Sequence, residues 1–340
     1  MGSAATYLTG VLTLPRHLIS SQAKLRRWLA SSAFICMQVK WVGVLLCLFF
    51  PFITAHAAPL AITVVLSEQG GQYLEFSEAL RNKLLDKNVH LNIVSSQAYT
   101  APERGIVVAA GMTAATIVAA SKAAAVLNAL IPESGYEKLK GDFPQRAGSK
   151  IFSAIFLEQP IERHLRLIKA MLPNKRHIGI LTYKAPEIDL SDLRHRVVRH
   201  KFVLHEKQLS EESQLYPALQ EILNASDVLF ALPDTSIYNT STMRNILMAT
   251  YRTGDPVVGF SPAYVRAGAL AAVYSTPEQV AEQAVKAILQ YGETRILPAA
   301  QYPQLYEVSV NERVAYSLGL TLKSAAELHQ EISAIIGDEP

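Results

Sequence analysis

The chain has 340 residues, half of them hydrophobic, with 32 basic and 29 acidic side chains and a formal charge of +3. Residues 1–57 hold five of the basic residues and no acidic one, which leaves 27 against 29 in residues 58–340, a charge near −2; the basic excess therefore implies no nucleic-acid or membrane-surface partner. Both cysteines (Cys36, Cys47) and both tryptophans (Trp28, Trp41) lie in the same segment, so the remainder has no disulfide, thiolate nucleophile or cysteine metal site.

In the first segment, Arg16, Lys24, Arg26, Arg27 and Lys40 precede an apolar run over 41–53, broken only by Gly43 and Pro51, and Ala55-His56-Ala57 follows. A positive stretch, a short apolar stretch and a small-x-small site describe a secretory signal peptide, with translation starting at Met37 and cleavage after Ala57. The alternative, a membrane anchor, is disfavoured because a bilayer span needs about 20 apolar residues. A lipoprotein signal needs a small residue before its cysteine, and Leu46 precedes Cys47.

From residue 60 onward, short apolar runs alternate with segments of helical period. Strands are expected over Leu60–Leu66, 89–94, 105–110, 127–132 and 151–157. Helices are expected where Tyr73, Phe76, Leu80 and Leu84 recur, from Gly111-Met112-Thr113 to about Asn128, and after Gln159-Pro160 with Ile161, Leu165, Ile168 and Leu172 on one face. Residues 137–150 read as polar and irregular. A second series begins with a strand over 177–181, a helix marked by Leu190, Leu193 and Val197, a strand over 202–205 and a helix marked by Leu215, Leu219 and Ile222. The stretch 227–270 then gives a buried strand over 228–232, a polar turn, a helix from about Thr240 to Tyr251, a strand over 256–259 and a short helix after Ser261-Pro262. A strand over 269–274 and a helix from Thr276-Pro277 to Tyr291 follow.

Such βα units make open parallel sheets with ligand groups at the carboxyl ends of the strands. The expected fold is α/β: two similar lobes, each a parallel sheet with helices on both faces, with a ligand cleft between them. Residues 58–158 plus about 272–300 form the N-terminal lobe, 159–271 the C-terminal lobe, and 301–340 a C-terminal strand and helices packing across the lobes.

The stretch D-x-x-x-x-x-P-D from Asp227, the helix after it, D-P-V-V-G-F from Asp255 and Y-V-x-A-G-A-L from Tyr264 resemble the second lobe of ABC transporter substrate-binding proteins of the tryptophan/tyrosine-uptake type. The resemblance continues through 277–289, Val308-Ser309-Val310-Asn311, Pro160-Ile161 and 172–181, and covers most of the chain after about residue 60. It implies a periplasmic binding protein-like I fold, a periplasmic location, a small-molecule ligand, an inner-membrane ABC permease as partner, a monomer, and neither cofactor nor enzymatic activity. Two loops depart from the family pattern: Thr182-Tyr183-Lys184-Ala185-Pro186 stands where an asparagine-bearing loop is expected, and Ile131-Pro132-Glu133-Ser134 where an Asp-Pro turn is expected. The family's ligands therefore do not carry over.

Candidate ligand residues are those at the strand ends of both lobes. From the first lobe they are Ser67, Glu68, Gln69, Gly111, Met112, Thr113, Glu133 and Ser134, and from the second Tyr183, Asp234, Ser236, Tyr238, Phe260, Ser261 and Tyr264. The helix after Gly111-Met112-Thr113 would offer free N–H groups to a carboxylate, or Thr113 would merely cap it. The resemblance places Asp234 in the cleft, where it would take a ligand amine; otherwise it is the first residue of an Asx-turn. Tyr238 and Tyr264 would stack on an apolar ligand part or pack at the core edge.

Enzymatic readings lack a nucleophile elbow, a phosphate loop and a dinucleotide turn. His195, His200 and His205 recur every five residues, a spacing that diverges by about 140° per step on a helix, and with Arg194, Arg196, Arg199 and Lys201 they read as a solvated basic face rather than a metal site. The resemblance therefore implies a solute-binding component of an ABC uptake system, expected to bind an amino-acid-like or aromatic ligand by lobe closure; the alternatives are a periplasmic sensor or accessory subunit, or an α/β hydrolase or transferase.

Overall fold

Two mostly parallel sheets, each covered on both faces, carry the described residues. The structure, a computed structural model, describes residues 58–102, 104–183, 190–234 and 236–334. The leader reading, with Met37 and Ala57, lies outside the described residues, as do Lys184, Ala185 and Pro186.

The first sheet contains β1 (Leu60–Leu66), β2 (Val89–Ser95), β3 (Ile106–Ala110), β4 (Ala125–Ile131) and β5 (Phe152–Phe156), in the order β2-β1-β3-β4-β5 with every pairing parallel. Ile62, Val64 and Leu66 face Phe76 and Leu80 of α1 (Gly71–Leu84). Val65, Val107 and Ala109 point the other way, against Val118 of α2 (Met112–Ala120) and Leu139 of α3 (Glu133–Asp142). Burial on both faces is why these strands read as continuous apolar runs.

The second sheet is assembled from β6 (His177–Tyr183), β7 (Val203–Leu209), β8 (Val228–Phe230), β9 (Val257–Gly259), β10 (Ala271–Tyr274) and β11 (Glu307–Val310), in the order β11-β10-β9-β8-β6-β7; only β11 runs antiparallel. One face packs on α4 (Ile161–Met171) and α5 (Leu190–Arg199), the other on α6 (Leu215–Ala225), α7 (Met243–Thr253) and α8 (Pro262–Ala267). A Cβ at Gly179 in β6 would lie 2.4 Å from Ile222 Cγ2 and 2.5 Å from Ser226 Oγ, so glycine is what lets α6 approach this closely.

After β10, α9 (Pro277–Thr294) returns to the first lobe. Its start is a full capping box: Gln279 N–H donates to Thr276 Oγ1 at 3.2 Å and Thr276 N–H to Gln279 Oε1 at 3.0 Å. Val280, Ala284, Ile288 and Tyr291 then seal the face that α1 leaves open. The chain comes back along 295–306 to β11, α10 (Glu312–Ser317) and α11 (Ala325–Ala334).

Three segments therefore cross between the lobes: 157–160, Ser275-Thr276 and 295–306. Side chains tie them together. Gln159 Nε2 donates to Ser275 Oγ at 2.8 Å, and Ser275 Oγ donates to the Leu305 carbonyl. Arg163 Nη1 donates to Gln159 Oε1 at 2.7 Å and to the Pro303 carbonyl at 2.6 Å, with its guanidinium 4.3 Å from the Tyr306 ring centre.

Three expectations are corrected. Part of the stretch read as irregular is helical, because Tyr136 and Leu139, three apart, anchor α3: Tyr136 stacks on Phe152 at 5.4 Å and donates to its carbonyl at 3.0 Å. β10 belongs to the second sheet, so the return to the first lobe falls after Tyr274 rather than near 272. The strand and helices of 301–340 lie on the second lobe, where Val308, Leu328 and Ile332 complete one apolar face, whereas Gln301 and Tyr302 touch the first through Ile155 and Phe156.

Candidate functional site

The crossings leave the first sheet at the carboxyl end of β5 and the second at the carboxyl end of β10. The carboxyl ends of both sheets therefore adjoin, and the expected residues lie on their rims.

On the first lobe, β1 is followed by Ser67, whose Oγ accepts the Ala114 N–H at 3.0 Å. A residue just past β1 thus supplies the cap that α2 lacks locally, since Gly111 has no side chain and Thr113 is exposed and does not cap. Gly111 has φ +87°, and a Cβ there would lie 2.6 Å from both Ser67 Oγ and the Tyr73 ring. With the Ala114 amide taken, the Met112 and Thr113 N–H groups at the positive end of α2 have no acceptor among the described residues. Glu68 and Gln69 stand exposed in the turn beside them, and Met112 lies over Gly135 of α3.

At the end of β4, Leu130 adopts φ +55° and the pairing with β5 shifts register between Ala129 and Ile131. This bulge turns the chain into Pro132-Glu133. The Glu133 N–H lies 3.2 Å from both carboxylate oxygens of Glu158, and the Tyr302 hydroxyl donates to the Glu133 carboxylate. Burial holds the Tyr302 phenol far above its ordinary pKa, reinforced by the bond to Glu133 and by the charges of Glu133, Glu158 and Asp192. Asp192 belongs to α5, so acidic groups of both lobes act on one ring. Ser134 sits half-buried at the same helix start. Glu158 and Tyr302 are absent from the sequence-level candidates, since only the fold brings Tyr302 to a partner 169 positions away.

On the second lobe, Asp234 is 5 % exposed and its Oδ1 accepts the Ser236 N–H at 2.9 Å, while its carbonyl accepts from Tyr238 N at 2.8 Å. The carboxylate thus closes an Asx-turn. Tyr183, at the end of β6, has its phenol pKa raised by burial and by the charges of Glu212 and Asp234. Ser236 is exposed, and Ser261 is half-buried at the start of α8 without a side-chain cap. Tyr238 and Tyr264 are core residues: their rings meet edge-on at 6.3 Å and Phe260 lies 4.7 Å from Tyr264. Among the described residues neither hydroxyl has a partner in hydrogen-bonding geometry, Tyr238 meeting the Leu181 backbone only loosely; burial raises both phenol pKa values steeply. The fold thus groups Ser67, Gly111, Met112, Thr113, Glu133 and Ser134 on one rim, and Tyr183, Asp234 and Ser236 on the other.

Asp234→Ala is expected to lower stability by about 1 kcal/mol, the value of a lost cap, and Asp234→Asn by less, because asparagine also accepts the Ser236 N–H. Denaturant midpoints of the two variants check this; equal losses would mean that the carboxylate charge, not the turn, matters.

Among the described residues no group of three or more His, Cys, Asp or Glu could hold a metal, and no helix is long and apolar enough to cross a membrane. Residues 81–328 match the family described as ABC transporter substrate binding protein. No curated protein matches the chain. Among solved structures, a conserved domain protein from Vibrio cholerae is 20 % identical with a TM-score of 0.55, over 79 % of this chain and 97 % of that one. The ABC domain in complex with L-Trp from Streptococcus pneumonia is 16 % identical with a TM-score of 0.57, over 79 % and 98 %. A ligand-free, open substrate binding protein with adhesive properties from Clostridium difficile is 16 % identical with a TM-score of 0.60, over 78 % and 96 %. At these identities the likeness is one of fold.

Proposed function

Because the chain belongs to the ABC transporter substrate-binding protein family, we propose that it captures a small amino-acid-like or aromatic solute between its lobes and delivers it to an inner-membrane ABC permease. It acts as a periplasmic monomer, exported by its leader, and performs no chemistry on the ligand. The observation that carries the reading is the pairing of charge types on the first-lobe rim. The unpartnered Met112 and Thr113 amides at the start of α2 suit a carboxylate, and the Glu133 and Glu158 carboxylates around Tyr302 suit an amine. A zwitterion matches both. Asp234, committed to its turn, serves the cleft by charge rather than by direct contact. Closure around the crossings would bring Tyr183 and Ser236 over the bound solute.

Calorimetric titration of the purified protein with the natural amino acids, tryptophan and tyrosine included, tests this. A true ligand at 100 times its Kd should raise stability by about 2.7 kcal/mol. Glu133→Gln should weaken a ligand that carries an ammonium group about ten- to a hundredfold, the loss of one charge-assisted hydrogen bond, and leave binding of a plain carboxylic acid unchanged. Absence of heat and of stabilisation across amino acids and aromatic acids would reject the ligand class, and equal weakening of amine and acid would reject the role of Glu133.

A further inference from the structure

The basic segment after α5 does not lie flat on the surface. Arg199, His200 and Lys201 fold against the end of α4 (Arg166, Lys169) and Arg176 to wall a pocket of about 510 Å³, closed on one side by Glu331 and Ile332 of α11. The pocket lies at the end of the second lobe where α4 and α5 finish and β6 begins, away from the rim that holds Tyr183 and Asp234. Arg166, Lys169, Arg176, Arg199 and Lys201 line it against two carboxylates, both already engaged; Arg166 and Arg199 have partners as well, which leaves Lys169, Arg176 and Lys201 to set its charge. Glu162 receives Arg166 Nε at 2.7 Å, His200 Nε2 at 2.8 Å and Arg196 Nη1 at 3.3 Å, and Glu331 receives Lys323 Nζ at 2.6 Å. Arg176 donates its Nη1 to backbone carbonyls, those of Pro173 and Lys175, and no carboxylate among the described residues pairs with its guanidinium. No carboxylate among the described residues pairs with Lys169 or Lys201.

Cations at the ends of α4 and α5 would be expected simply to complement the helix dipoles. Two features exceed that need. The pocket has the volume of a small-molecule site, where a dipole partner needs only a surface. Lys201 also occupies the left-handed backbone position just past α5, φ +62°, which glycine or asparagine fills at lower cost. We propose that this pocket is a second binding site, separate from the cleft, for a small polyanion carrying two or more phosphate or carboxylate groups.

Pyrophosphate and citrate are the probes, titrated calorimetrically into the purified protein at constant ionic strength, with chloride as the control because exposed charges are screened by salt. The paired variant Lys169→Gln, Lys201→Asn removes two cations while asparagine keeps the left-handed turn. At least one probe should bind and raise the melting temperature, and the variant should weaken it at least tenfold while binding a cleft ligand as the parent does. The proposal is overturned if neither probe binds beyond the chloride control, or if the variant binds both unchanged. Anionic phospholipid vesicles distinguish a membrane headgroup from a free solute: co-sedimentation without a response to either soluble probe would also overturn it.

Discussion

Glu162→Ala should lower the stability of the protein by about 3 kcal/mol, the scale set by removing one partner of a buried ion pair. Glu162 is 8 % exposed on the first turn of α4 and Arg166, one turn on, is 6 % exposed, so the contact between them is dry. Arg196 and His200 reach the same carboxylate from α5 and the turn after it. Alanine would remove the acceptor that joins α4 to α5, taking it from Arg166 and His200, while Arg196 keeps Asp192. Glu162→Gln should cost distinctly less, because one oxygen still accepts. Burial pushes the Glu162 pKa up, but the bonds from Arg166 and His200 more than offset it and the net shift is downward. A depressed carboxyl contributes stability above its unfolded value of about 4.3 and loses it as pH falls through its folded value. The difference between parent and Glu162→Ala in urea unfolding should therefore be full at pH 7 and shrink below pH 4; a constant difference would mean that packing, not charge, is lost.

The second large effect is a loss of stability between pH 6.5 and 4 from His164. This histidine is 4 % exposed inside α4, its ring 5.1 Å from Phe230, and its Nδ1 faces the Pro160 carbonyl at 3.3 Å. Burial pushes its pKa down to about 4, the Pro160 carbonyl opposing slightly and Arg163 adding to the drop. The native state thus keeps the ring neutral while the unfolded chain takes up a proton near pH 6.5. Stability is whole above 6.5, falls with pH through that window, and levels off below about 4. A shift of this size is worth about 3 kcal/mol in all. His164→Gln should flatten the profile of unfolding free energy between pH 6.5 and 4.5 relative to the parent. An unchanged slope would place the acid sensitivity elsewhere.

Much of this architecture is legible in local sequence. Val228-Leu229-Phe230 and Ile106–Ala110 are buried on both faces because they sit inside parallel sheets, and their unbroken apolarity announces it. Thr276-Pro277 with Gln279 names the start of α9 because all parts of the cap lie within four residues. α3 was illegible for the opposite reason. Ser134, Gly135 and Gly141 are poor helix formers, and what holds the helix is Tyr136 on Phe152, a contact sixteen positions away. The candidate site divides the same way. Gly111 and the start of α2 follow from a glycine before an apolar helix, and the Asx-turn of Asp234 is local, but the bond from Tyr302 to Glu133, 169 positions away, cannot be read from any local pattern. His195, His200 and His205 do not converge: His200 goes to Glu162, and His205 lies 2.9 Å from His177 on the neighbouring strand.

The return of α9 to the first lobe sets the order in which the molecule can be completed. β1 and α1 leave an apolar face, with Ile62, Phe76 and Leu80 on it, that is covered only by Val280, Ala284 and Ile288, about 200 residues later. The second sheet likewise waits for β11. At a synthesis rate of about 5–20 residues per second, that face stays bare for roughly 10–40 s. The first half cannot close before α9 has emerged, nor the second before β11, so until then the growing chain carries apolar surface that whatever receives it must shield.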